Sequence, residues 1–175
     1  MTSIKNVVAK LSPKTKKVIT ISLSALVVVS LVIVVTSLIN TQAAKNQQAS
    51  SSPNFSAVLP NGKAITSLGG WQKLTPPNSD PVYVFTDSIN AVSISVSQQP
   101  LPDTFKANTA KSVSELAKSY SATDELDANG VKVYIGTSAK GPQSVIFTKN
   151  NLLILIKSQA RIKNDAWVNY IKSLS

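Results

Sequence analysis

The chain has 175 residues, 18 Lys and Arg against 8 Asp and Glu, a formal net charge of +10, and no Cys or His. This length allows one ordinary domain and an appendage. The missing Cys and His exclude thiol nucleophiles, imidazole bases, Ser-His-Asp triads, disulfides and most zinc and copper sites. Carboxylate, Lys or hydroxyl chemistry remains.

The positive charge is concentrated at the N-terminus. Residues 1–17 contain five Lys and no acidic residue, whereas residues 54–175 hold twelve basic and all eight acidic residues. The Lys-rich stub directly precedes a long apolar run, and such flanks orient membrane segments rather than neutralise phosphates. We therefore expect no nucleic-acid partner.

Residues 18–39 form an apolar run of 22 residues without a charge, Gly or Pro. At about 1.5 Å per residue, a helix of this length spans a hydrocarbon core of about 30 Å. We predict a transmembrane helix that is retained as an anchor in the lipid bilayer of the plasma membrane. A cleaved signal peptide stays open, because Thr41-Gln42-Ala43 offers a small-x-small site, although the apolar run is longer than a typical signal core.

The distribution of Lys around this run predicts its orientation. Lys14, Lys16 and Lys17 lie closest to its first residue, and only Lys45 lies close after it. Because cytoplasmic flanks carry the excess of positive charge, the stub should be cytoplasmic and the C-terminal part extracytoplasmic.

The C-terminal part divides into two segments. Residues 40–53 are polar, with almost nothing to bury, and predict a flexible tether. Residues 54–175 are long enough to form a core of their own and are the predicted extracytoplasmic domain.

The first half of this domain shows a hairpin pattern and a helix pattern. Val82 to Thr86 is rich in β-branched and aromatic residues, and residues 87–90 have turn composition. Apolar and Ser residues then alternate over 92–97, which predicts a second strand with one solvated face. Ser112 and Glu115 form a capping-box pattern before a helix whose apolar face carries Val113, Leu116, Ala117 and Tyr120.

The second half is clearer. Asn129-Gly130 predicts a turn, followed by strands over residues 131–135 and 143–148. Leu152 to Ile156 is unbroken LLILI, which predicts a central strand covered on both faces. Asn164 or Asp165 can cap a final helix whose apolar face carries Ala166, Trp167, Tyr170, Ile171 and Leu174.

These elements predict an α+β fold. We expect a single transmembrane helix, a flexible tether, and an antiparallel sheet of about five strands covered on one face by helices, including a C-terminal helix.

The last 50 residues or so resemble the small extracytoplasmic domains of bacterial single-pass membrane proteins of the anti-sigma-factor and sporulation envelope type. The resemblance is carried by Asn129-Gly130-Val131, the hairpin QSVIFTKNNLLILIKS and the helix DAWVNYIKSL. It implies an envelope domain and brings no catalytic or ligand signature. The stub lacks the length and the His and Cys residues with which such proteins often bind sigma factors.

Three kinds of reactive site can be built without Cys or His. Glu125, Asp127, Asn129 and Gly130 match the first positions of a calcium loop, but Gly136 occupies the twelfth, where a Glu is needed, so an acidic turn is favoured. A Ser-Lys dyad and a paired-carboxylate site remain formally possible without His. No Ser lies in a recognisable nucleophile elbow, and we expect no metal or cofactor.

Two features suggest ligand contacts. Trp71 follows Gly69-Gly70 and could present its ring to a sugar or peptide, or plug the edge of the core. Lys157, Arg161 and Lys163 could meet an anionic wall polymer, or form a solvated loop before the last helix.

The resulting functional hypothesis is a membrane-anchored, non-enzymatic binding domain of the cell envelope. Its partner would be an envelope protein or an anionic wall component. The alternative is an anchored hydrolase or peptidase that uses carboxylate or Ser-Lys chemistry.

Overall fold

The computed structural model describes residues 52–76, 80–138 and 141–175. The predicted stub, the predicted membrane helix and the tether up to residue 51 lie outside these ranges. Within them, no helix is long and apolar enough to cross a membrane.

The described residues form one antiparallel sheet of seven strands, which lie side by side in the order β1-β2-β3-β7-β6-β5-β4. The strands are β1 (Gln72–Leu74), β2 (Val82–Ile89), β3 (Val92–Pro100), β4 (Ala122–Asp127), β5 (Lys132–Ser138), β6 (Gly141–Lys149) and β7 (Leu152–Ser158). The helices are α1 (Asp103–Lys106), α2 (Thr109–Ser119) and α3 (Asn164–Ser173), and a 3₁₀ turn covers Ile65–Leu68. The predicted α+β fold with an antiparallel sheet and a C-terminal helix is confirmed.

The predicted number of about five strands was too low. The two additional strands are β1 and β4, which form the two edges of the sheet. Both are short and polar, QKL and ATDELD, because an edge strand is paired on one side only and gains from charged residues that discourage further pairing. Polar strands of this kind resemble loops in a sequence.

The β2–β3 hairpin turns later than predicted. Strand β2 continues through Ile89, and the turn is formed by Asn90 and Ala91, with φ of 49° and 64°. Positive φ at both central residues suits a tight hairpin, since it matches the twist of the flanking strands. The predicted solvated face of β3 was also wrong, because Ser95 and Ser97 are buried.

Helix α2 has a different N-cap from the predicted one. The Asn108 side chain accepts a hydrogen bond from the Lys111 backbone N–H at 3.1 Å, and the helix begins at Thr109. Glu115 serves no capping box with Ser112 and instead lies 3.9 Å from the Lys111 ammonium. The apolar face of the helix is confirmed, with Val113, Ala117 and Tyr120 buried.

The two long helices pack on opposite faces of the sheet. Helix α3 buries Trp167 and Ile171 in a core with Ile154 and Ile156 of β7. Helix α2 buries Val113 and Ala117 in a second core with Leu153 and Leu155. Alternate residues of a strand point to opposite faces, so β7 supplies both cores. The prediction of helices on one face was therefore wrong, and the central position of β7 was right. We call the two surfaces the α3 face and the α2 face.

The segment before the 3₁₀ turn is bound to the α3 face. Gln98 of β3 is fully buried, and its amide accepts from the Val58 N–H at 2.9 Å and donates to the Val58 carbonyl at 2.7 Å. The Leu59 N–H donates to the Ser175 carbonyl at 3.0 Å, and the Ser175 N–H donates back to the Leu59 carbonyl at 2.9 Å. The chain that follows the predicted tether is thus joined both to the sheet and to the end of helix α3.

Candidate functional site: an apolar groove beside helix α2

A groove runs along the α2 face between helix α2 and the β2–β3 side of the sheet. It contains about 310 Å³ of empty volume, part of which is open to solvent, and its surface is almost entirely apolar. The residues that line it are Val82, Ser97, Gln98, Gln99, Leu116, Tyr120, Ile146, Leu153 and Leu155.

The groove exists because helix α2 covers only one half of the α2 face of the sheet. The helix packs against β4, β5 and β6. Over β2, the valines Val82 and Val84 form a separate apolar cluster with Leu74. Strands β3 and β7 lie beneath the space between this cluster and helix α2. Leu153 and Leu155 of β7 form the apolar floor of the groove.

Tyr120 follows helix α2 and forms part of one wall of the groove. Its side chain is buried, and burial raises the pKa of Tyr120 well above its usual value because the phenolate would lose its hydration. The phenol therefore stays protonated across the physiological range.

Ser97 is the most unusual lining residue. It is 2% exposed, and its hydroxyl has no hydrogen-bond partner among the described residues. A buried polar group without a partner costs about 1 to 3 kcal/mol. This cost suggests that the hydroxyl bonds to something beyond the groups that these residues provide.

A row of polar residues lies next to the groove on the same face. Lys157 of β7 pairs with Ser95 of β3 on one side and with Ser144 of β6 on the other. All three are buried, with Lys157 3% and Ser144 0% exposed. Lys157 is two residues beyond Leu155 on its strand, so it points to the α2 face directly past the groove floor. We call Ser95, Lys157 and Ser144 the polar row.

The predicted basic cluster is not a single surface. Arg161 and Lys163 are exposed in the connection between β7 and α3, as a loop position implies. Lys157 is buried, because β7 continues two residues past Ile156 and the alternation turns Lys157 inward. The membrane-orienting residues Lys14, Lys16 and Lys17 lie outside the described residues.

Trp71 lies away from the groove, on the α3 face, directly before β1 and against the residues of β2. It is half-buried, and its ring meets Phe85 edge-on at 5.5 Å and Tyr83 at 6.2 Å between centroids. Phe55 adds a third edge-on contact to Tyr83 at 5.6 Å. These contacts place Trp71 against the core of the α3 face.

The acidic residues of the calcium-like pattern belong to edge strand β4. The Glu125 carboxylate lies 2.7 Å from the Lys132 ammonium, and Asp127 accepts a hydrogen bond from the Gly130 N–H at 3.0 Å. No group of three or more potential metal ligands of the His, Cys, Asp or Glu type occurs among residues 52–76, 80–138 and 141–175.

Asp87 is a second buried ionisable group, which no motif in the sequence indicated. Its side chain is 5% exposed and lies 2.5 Å from the Lys63 ammonium, while the Tyr170 hydroxyl donates to it at 3.2 Å. Burial, and then the negative charge of Asp87, raise the pKa of Tyr170 above its usual value. This cluster fastens the segment around Lys63 and helix α3 to strand β2, so its role is structural.

Comparison with known proteins identifies no relative: no protein-family model, no curated protein and no solved structure matches this chain. The functional assignment therefore depends on the chemistry of the groove and its surroundings.

Proposed function

We propose that this protein is a membrane-anchored, non-enzymatic binding module of the cell envelope, with the groove beside helix α2 as its ligand site. The observation that carries the proposal is the buried Ser97 hydroxyl, which has no partner among the described residues and lies in an otherwise apolar groove. Ligand sites combine this kind of apolar lining with a few placed polar groups.

The lining favours an aliphatic chain over a peptide. A peptide brings backbone N–H and C=O groups that need partners when they are buried. The strands under the groove, β3 and β7, are both paired on each side, so their backbone groups are used within the sheet. An aliphatic chain makes no such demand, and it gains about 0.8 kcal/mol for each buried methylene.

The predicted anchor supports the same ligand class. As a flexible chain, the fourteen residues of the predicted tether, 40–53, would have an r.m.s. span of about 20 Å, which would keep the domain close to the bilayer surface. Bilayers are the main source of aliphatic chains in an envelope, and a domain held there meets them at high local concentration.

The proposal can be tested with a single-Cys reporter, because the chain contains no Cys. In full-length protein in liposomes, Leu116→Cys places a thiol in the groove wall, and the matched control Lys118→Cys places one on the exposed side of the same helix. We expect added decanol to slow the reaction of a methanethiosulfonate reagent at residue 116 and not at residue 118. Equal rates with and without decanol at both positions would refute the groove as a ligand site.

The alternative of a Ser-Lys hydrolase has one observation in its favour, the position of Lys157 between two serines. Against it, the Ser144 hydroxyl makes no hydrogen bond among the described residues, so no base is in place there. Release of p-nitrophenol from p-nitrophenyl decanoate by wild-type protein, lost in Lys157→Met, would establish the hydrolase and overturn the binding module.

A further inference from the structure

The Ser97 hydroxyl lies in apolar surroundings. Ser97 of β3 pairs with Val84 of β2 on one side and with Leu155 of β7 on the other, and both neighbours are buried. Ser97 lines the groove at 2% exposure, and its hydroxyl has no hydrogen-bond partner among the described residues. Because buried polar groups of native proteins almost always have a partner, we expect a ligand that fills the groove to bring one to Ser97.

The lining around this hydroxyl is uncharged. Besides Ser97, its polar side chains are the amides of Gln98 and Gln99 and the phenol of Tyr120. The Gln98 amide is bonded to the backbone of Val58. Burial raises the pKa of Tyr120, so its phenol stays neutral. Among the described residues that line the groove, none therefore carries a charge that could compensate an ionised ligand group.

The ammonium of Lys157 is not free to supply this charge. Lys157 lies two residues past Leu155, it is not one of the lining residues, and it takes part in an interaction of its own. An ionised group in the groove would lose its hydration without gaining a counter-charge, which is strongly unfavourable. An uncharged hydroxyl or carbonyl loses less hydration, and a hydrogen bond to Ser97 offsets that loss.

We infer that the ligand is an uncharged aliphatic molecule whose hydroxyl or carbonyl oxygen hydrogen-bonds to the Ser97 hydroxyl. This inference rests on the proposed function, because it requires the groove to hold the aliphatic chain. It adds the class of the ligand, a neutral lipid, which the apolar lining alone does not specify. A hydroxyl and a carbonyl share the acceptor oxygen that the Ser97 hydroxyl needs, and separate ligands distinguish them.

The first test compares ligands that differ at one end of the chain, with full-length Leu116→Cys protein in phosphatidylcholine liposomes. The uncharged polar ligands are decanol and methyl decanoate, and the permanently charged ligands are decyl sulfate and decyltrimethylammonium. The measured quantity is the mole fraction of ligand in the bilayer that halves the rate of thiol modification, so differences in partition are removed. We expect this mole fraction to be at least about tenfold lower for one of the uncharged ligands than for either charged ligand.

The variant Ser97→Ala, made in the same Leu116→Cys protein, assigns the polar contact to a residue. It is tested with the favoured uncharged ligand and with undecane, which has the chain length of decanol and no polar group. We expect the half-protecting mole fraction of the uncharged polar ligand to rise about fivefold, as for the loss of one hydrogen bond, and that of undecane to stay unchanged. The matched control Ser88→Ala removes an exposed hydroxyl from strand β2 and should change neither value.

The same substitution has a second expected result before any ligand is added. Because the Ser97 hydroxyl has no partner among the described residues, its removal should not lower the melting midpoint of the protein in these liposomes. A lower midpoint would show that the hydroxyl is already bonded within the protein, and it would overturn the inference.

The remaining outcomes separate the inference from the proposed function. Charged ligands that protect at the same mole fraction as the uncharged ones would overturn the inference. An equal effect of Ser97→Ala on the uncharged polar ligand and on undecane would do the same, and in both cases the groove would remain an aliphatic-chain site. Protection by none of the ligands, undecane included, would overturn the proposed function itself.

Discussion

The attachment of the N-terminal segment to the sheet can be tested through Gln98. Its amide makes two hydrogen bonds to the backbone of Val58, one as acceptor at 2.9 Å and one as donor at 2.7 Å. The substitution Gln98→Leu keeps a side chain of similar size in a fully buried position and removes both bonds.

Two responses to this change are possible, and the less costly one sets the expected loss. If the segment stays in place, two buried backbone groups lose their partner, at about 1 to 3 kcal/mol each, or about 2 to 6 kcal/mol together. If the segment detaches, the Val58 side chain, which is 1% exposed, loses its burial, worth about 1.5 to 3 kcal/mol. We therefore expect the free energy of unfolding to fall by about 1.5 to 3 kcal/mol.

The assay is urea unfolding of residues 52–175 followed by Trp fluorescence. The matched control is Gln159→Leu, which changes an exposed glutamine just after β7 and should stay within about 0.5 kcal/mol of wild type. An unfolding free energy of Gln98→Leu within the same 0.5 kcal/mol would show that the two bonds do not hold the segment, and the reasoning would fail.

Three further predictions concern the core, alkaline pH and topology. Trp167→Ala should lower the free energy of unfolding by about 3 to 5 kcal/mol, because Trp167 is fully buried; an unchanged melting midpoint would contradict this. Since the pKa of Tyr120 is raised in the folded state, unfolding releases a proton above the usual Tyr pKa of about 10, so stability should fall as the pH rises past that value, and less steeply in Tyr120→Phe. An equal slope in both proteins would refute that role. In intact cells, external protease should reach a C-terminal reporter and not an N-terminal one, and replacing Lys14, Lys16 and Lys17 by Gln should weaken this difference; a protected C-terminal reporter would reverse the predicted orientation.

The parts of the fold that the sequence predicts are those determined by nearby residues. The run Leu152 to Ile156 is apolar at every position, which predicts a strand covered on both faces, and the structure confirms it. The apolar stripe of helix α3 and the Asn129-Gly130 turn are likewise local patterns, and both are confirmed.

The candidate site could not be predicted in the same way, because it depends on distant pairing. Alternating Ser residues in β3 are typical of a solvated face, and only the pairing of β3 with β7, some 60 residues later, makes that face internal. Lys157 was predicted to lie in an exposed loop for a related reason, since the strand was expected to end at Ile156. A signal was nevertheless present: if β7 is central, both neighbouring strands share its buried surroundings, and their serines should be covered as well.

The position of the groove is set by a single glycine on the opposite side of helix α2. A Cβ atom added to Gly136 of β5 would lie 2.2 Å from the Tyr120 carbonyl oxygen and 2.9 Å from the Ala122 nitrogen, which no backbone tolerates. Only glycine therefore allows the end of helix α2 to rest directly on β5. With its end held there, the helix covers β4, β5 and β6 and leaves β3 and the start of β2 uncovered. Leu116 and Tyr120 therefore line the side of the groove and do not close it from above. Gly136 occupies the position at which a calcium loop would need a Glu. The same glycine permits the close packing of helix α2 on β5, and the groove lies beside that contact.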